Sequence, residues 1–111
     1  MKKALVVTND RNVGAALWRL LKVLGFEVVT SNHEEALATF LTEDPSHVLI
    51  LEYSEIGEKL EEHNIGRRTY DDIKKSASPG TRIIRCGLEN YHYDDYLRLP
   101  FEIGELKRLL L

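Results

Sequence analysis

Apolar residues occur along this chain in short blocks separated by polar turns. Ala4 to Val7 is a continuous apolar run that stops at Thr8-Asn9-Asp10. Such a run predicts a strand covered on both faces of a parallel sheet. Asn9 or Asp10 is placed to cap a following helix, because a short side-chain oxygen accepts a bond from an unpaired first-turn N–H. That helix carries Val13, Ala16, Leu17, Leu20, Leu21 and Leu24, the spacing of a one-sided helix, and Gly25 ends it. Phe26 to Thr30 reads as the second strand. Ser31 and Glu34 then have capping-box spacing before a helix with Ala36, Leu37, Phe40 and Leu41, which stops near Glu43-Asp44-Pro45. His47 to Leu51 is the third strand.

Beyond Glu52 the pattern weakens. Tyr53 to Gly66 is polar and glutamate-rich and reads as a loop with a short helical piece. Arg67 to Ala77 predicts a modest helix anchored by Tyr70 and Ile73, ended by Ser78-Pro79-Gly80. Thr81 to Cys86 is the fourth strand. Nine residues, Gly87 to Asp95, lead to a fifth strand at Tyr96 to Leu99, too few for two loops and a full helix. Pro100-Phe101 opens a last helix through Leu106, Leu109 and Leu110. The alternation predicts an α/β fold: a doubly wound, five-stranded parallel sheet, with the fourth helix shortened or missing. If the strand order is 2-1-3-4-5, a ligand site lies at the carboxyl ends of the strands, at Thr8-Asn9-Asp10, Glu52-Tyr53 and Cys86-Gly87.

Composition narrows the function classes. At 111 residues the chain is read as one domain, 1–111, large enough to bury a core without staples. With 15 Lys+Arg against 18 Asp+Glu, the net charge of −3 argues against a dedicated nucleic-acid binder. No apolar run approaches a membrane span, and the Met1-Lys2-Lys3 start lacks a secretory core. A cytoplasmic protein is expected. The single cysteine, Cys86, forms no internal disulfide. No Gly-rich phosphate loop follows the first strand.

Several segments in register resemble the receiver domain of two-component response regulators. They are Lys3-Ala-Leu-Val-Val-Thr-Asn-Asp10, Gly25-Phe-Glu-Val-Val-Thr30, Glu34-Glu-Ala-Leu37, His47-Val-Leu-Ile-Leu-Glu52 and Tyr96-Leu-Arg-Leu-Pro-Phe101. The resemblance implies a phospho-acceptor aspartate ending the third strand and an acidic pair after the first strand that holds Mg²⁺. It also implies a Thr or Ser ending the fourth strand, and a lysine before the proline after the fifth. This sequence departs at each. Thr8-Asn9 stands at the acidic pair with Asp10 the only nearby carboxylate, and a slip of one residue would make the pair Asn9-Asp10. Glu52 stands at the acceptor, Cys86 at the hydroxyl and Leu99 at the lysine. Mg²⁺ favours near-octahedral oxygen ligands, so its binding is expected to be weak or absent and no cofactor is assigned. Without the lysine, no fixed positive charge faces a transferring phosphoryl group.

The expected function is therefore that of a degenerate receiver, not an enzyme, acting by phosphorylation-independent contact with a protein partner. The alternatives are an unusual but working phospho-receiver, or a small-ligand or nucleotide sensor at the strand ends. Glu52 reads as a solvated or Arg-paired carboxylate left from a lost site; the other reading is a mimic of phosphoaspartate. Tyr96 stands at the aromatic that turns inward when such domains switch on. Arg85 and Arg98, near the ends of the fourth and fifth strands, either pair with Glu52 or Asp10 or stay exposed. Tyr91, His92 and Tyr93 pack over the bare sheet edge or anchor an interface. Trp18, on the flank of the first helix, reads as an edge-of-core residue, with a partner anchor as the alternative. His92, Asp94 and Asp95 are too close in sequence to converge on a metal. The final leucine run raises a homodimer. A stand-alone adaptor and a fragment of a longer protein both remain open.

Overall fold

The computed structural model describes residues 2–51, 59–87, 96–98 and 103–110, with backbone only for 59–66 and Arg98. In chain order the elements are β1 (Lys3–Val7), α1 (Arg11–Val23), β2 (Glu27–Ser31), α2 (Ala36–Glu43), β3 (His47–Leu51), α3 (Lys59–Ser76), β4 (Arg82–Gly87), β5 (Tyr96–Arg98) and α4 (Ile103–Leu110). The sheet has five strands in the order β2-β1-β3-β4-β5, and each pairing is parallel.

The apolar runs explain this order. β1 and β3 are the most continuously apolar strands, and they take the positions buried on both faces: Ala4 to Val7 and Val48 to Leu51 are all sealed from solvent. β2, which mixes Glu27, Thr30 and Ser31 into its run, lies at an edge. Strand alternation sorts the core into two layers. On one face Val6, Leu49, Leu51, Ile84 and Cys86 meet Leu17 and Leu21 of α1 and Leu106 and Leu109 of α4. On the other, Leu5, Val7, Val48 and Ile50 meet Ala36 and Phe40 of α2 and Ile73 of α3.

Local signals hold at both ends of α1. Asp10 is its N-cap, with Oδ1 accepting from the N–H of Asn12 at 2.9 Å and of Val13 at 3.2 Å. Gly25 follows the helix at φ +94°, a left-handed conformation that a side chain rarely adopts.

The capping box does not form. Ser31 is the last residue of β2, opposite Val7, and its hydroxyl donates to the Asn32 carbonyl at 2.8 Å. Asn32 takes over the turn, its Oδ1 accepting from the Glu35 N–H at 2.8 Å, and α2 starts at Ala36 without a side-chain cap. Sheet pairing with β1 thus overrides a local capping preference. β2 runs one residue later than the apolar pattern suggests, because Glu27 pairs with Lys3 despite being polar. α3 begins at Lys59, eight residues before Arg67, so much of the glutamate-rich stretch read as loop is helix. Leu41, counted on the apolar face of α2, is 61% exposed. α4 starts at Ile103; Pro100 and Phe101, and the short β4–β5 connection at 88–95, lie outside the described residues.

Candidate functional site at the carboxyl ends of the strands

Parallel strands end together, so Thr8, Asn9 and Asp10 after β1 and Cys86 in β4 fall at one end of the sheet. Each of the three residues after β1 is committed to a local bond. The Thr8 N–H donates to the Ser31 carbonyl at 2.9 Å, and its Oγ1 accepts from the Asp10 N–H at 2.9 Å. Asn9 Oδ1 accepts from the His33 N–H at 3.2 Å, tying the end of β1 to the segment after β2. Asp10, 4% exposed, points back into the first turn of α1. The structure thus sets the register as Thr8-Asn9 directly after the strand, with Asp10 as the helix cap.

On the other side of the centre, Cys86 pairs with Leu51 across β3–β4 and is fully buried in the core facing α1 and α4. Arg85 points to the opposite face, where its guanidinium stacks over the Tyr70 ring of α3 at 4.9 Å. Among the described residues no ion pair joins Arg85 to Asp10. Tyr96, beside Arg85 in the β4–β5 pairing, is buried at 5% exposure. Glu52, Leu99, Tyr91, His92 and Tyr93 lie outside the described residues, as does the side chain of Arg98. Trp18 is 42% exposed, which makes it a surface residue at the rim of the α1 layer.

Sequence reasoning missed His33. It follows β2, is 8% exposed, and places Nδ1 3.1 Å from Thr69 Oγ1 of α3. Burial lowers its pKa below the ordinary histidine value, partly opposed by a bond from the ring to the Leu51 backbone. A neutral imidazole therefore joins the segment after β2 to α3. The signal was hidden because Ser31-Asn32-His33-Glu34 has the look of a polar turn, where a buried ring is not expected.

Two depressions flank this end. One, of about 590 Å³, lies between α1 and the end of β2; the other, of about 510 Å³, lies between the β2–α2 segment and α3 and includes His33, Arg68 and Asp72. Among the described residues no three His, Cys, Asp or Glu gather as a metal-binding group, and no helix is long and apolar enough to cross a membrane.

Solved structures similar to this chain are response-regulator receiver domains. The response regulator TrrA, solved in complex with the histidine kinase ThkA, is 26% identical, with full coverage of both chains and a TM-score of 0.77. A CheY-like receiver domain from Methylobacillus flagellatus is 18% identical over 99% of this chain and 96% of that one, with a TM-score of 0.77. The response regulator PhyR from Brucella abortus is 19% identical over 97% of this chain, with a TM-score of 0.75. This chain spans only 45% of that PhyR chain. No protein-family model matches the sequence, and no curated protein is significantly similar to it. The fold is the receiver fold of two-component response regulators.

Proposed function

We propose that this chain is a receiver-type signalling module that works without phosphorylation, through contact with a protein partner in the cytoplasm. The observation that carries this reading is the placement of Asp10. It is the single carboxylate in the segment after β1, and its Oδ1 accepts two N–H bonds from the α1 backbone. Thr8 and Asn9, its neighbours, offer neutral oxygens already engaged in hydrogen bonds. This set is a poor fit to Mg²⁺, which is usually held by one or two carboxylates facing the ion. Cys86 in place of a hydroxyl, and Glu52 and Leu99 at the acceptor and lysine positions, support the same reading from the sequence.

A module of this kind signals by surface. The inward, buried Tyr96 supports a fixed setting of the β4–β5 face rather than one toggled by phosphate. PhyR from Bartonella quintana is described as an anti-anti-sigma factor, and TrrA is held by a histidine kinase, so proteins of this fold do dock on other proteins. We assign the same class of partner here and no catalytic role.

Amide NMR with Mg²⁺ and then beryllofluoride, a stand-in for the phosphoryl group, tests the reading. Resonances of Thr8 to Asp10, Cys86 and Tyr96 are expected to stay in place. Saturable shifts shared by all of them would establish a working phospho-receiver instead.

A further inference from the structure

The depression beside α1 has a composition that the signalling role leaves unused. Arg11, Ala15, Trp18 and Arg19 line it from the helix, and all four are exposed. They recur at four, seven and eight residues from Arg11, which sets them along one side of α1. Its floor is small: Gly14 is buried and Ala15 has only a methyl group. The facing wall carries Thr30 and Ser31 from the end of β2 and Glu35 from the start of α2. Asp10, whose carboxylate is turned into the first turn of α1, lines the end beside Arg11.

These groups are the ones a flat, anionic, hydroxylated ligand needs. An indole offers a stacking face, and Lys22, 5.5 Å from the Trp18 ring centroid, does not line the groove. Guanidinium groups hold phosphate oxygens through paired N–H donors. At 1.5 Å of rise per residue, Trp18 and Arg11 stand about 10 Å apart along the axis. That separation matches a nucleoside polyphosphate laid along the helix, its base on Trp18 and its terminal phosphates at Arg11. Glu35 and the Thr30 and Ser31 hydroxyls then face the ribose, and the small floor lets the sugar lie close to the helix. A free nucleoside would leave Arg11 unused, and an inorganic anion would leave the indole unused.

We propose that the groove between α1 and the end of β2 is a binding site for a purine nucleoside polyphosphate. The site is built on the side of α1 and does not depend on phosphotransfer at the strand ends.

Trp18 is the sole tryptophan in the chain, so its emission reports on this groove alone. The experiment titrates the full chain with ATP, GTP, adenosine and tripolyphosphate, excites the indole beyond the absorption of the purine, and follows backbone amides in parallel. Saturable quenching by ATP or GTP is expected, with amide shifts confined to residues 8–19 and 30–35. Arg11→Ala, at an exposed position that leaves the core untouched, should weaken binding about tenfold or more, whereas Arg19→Ala, beside Trp18 at the base end, should weaken it less. Adenosine and tripolyphosphate should bind at least about tenfold more weakly than ATP. The proposal is overturned by absence of saturation with both nucleotides at millimolar concentration. It is equally overturned by binding that Arg11→Ala leaves unchanged, or by tripolyphosphate binding as tightly as ATP.

Discussion

His33 Nδ1 lies 3.1 Å from Thr69 Oγ1, so a buried imidazole joins the segment after β2 to α3 at the end of the sheet where a receiver carries its chemistry. The His33 N–H is in turn held by Asn9 Oδ1 at 3.2 Å. One residue therefore ties the end of β1 and the segment after β2 to the helix beyond.

Replacing His33 by Ala is expected to destabilise the fold by about 1–3 kcal/mol, since it removes a mostly buried ring together with its hydrogen bond to Thr69. Urea denaturation of His33→Ala, Thr69→Val and the double variant gives the coupling between them. Additive losses, with no coupling, would show that the bond carries nothing.

Acid should weaken the fold through two histidines. Burial lowers the pKa of His33, and burial, followed by the positive charge of Lys2, lowers that of His47. Above the ordinary histidine value of about 6.5, both rings are neutral whether folded or not, and their contribution is complete. Below it the unfolded chain takes up protons first, so stability falls until the folded pKa is reached. The slope is at most about 1.4 kcal/mol per pH unit for each ring. Urea midpoints between pH 8 and pH 5 should decline below about pH 6.5, and less steeply in His47→Phe.

Asp10→Ala removes the α1 cap and should cost about 1 kcal/mol, whereas Asp10→Asn or Asp10→Ser should retain most of it. Thermal unfolding with and without Mg²⁺ separates capping from ion binding. Stabilisation of the parent by Mg²⁺ that disappears in Asp10→Asn would assign the carboxylate to a metal.

Gly14→Ala ought to stabilise a helix on propensity alone, yet a Cβ there would stand 3.0 Å from Thr8 Cγ2. Thr8 cannot swing away freely, because its Oγ1 holds the Asp10 N–H. A net loss of about 1 kcal/mol is expected. Thr8→Ser keeps the hydroxyl and deletes the offending methyl, so the double variant should recover the loss. A Gly14→Ala protein as stable as the parent would refute the contact.

The sequence by itself determined the architecture. Unbroken apolar runs at Ala4 to Val7 and Val48 to Leu51 could be satisfied only at positions covered on both faces of a parallel sheet, which kept β1 and β3 off its edges. Asp10 and Gly25 fixed the ends of α1 by local hydrogen bonding and local backbone freedom. Tertiary structure decided the rest, because it depends on pairs distant in sequence. Ser31 lost its capping role to pairing with Val7, and Arg85 stacks over an aromatic ring fifteen residues earlier in the chain. His33 met Thr69 across thirty-six positions. A period or a spacing records what one element needs; only the packed chain shows which other element supplies it.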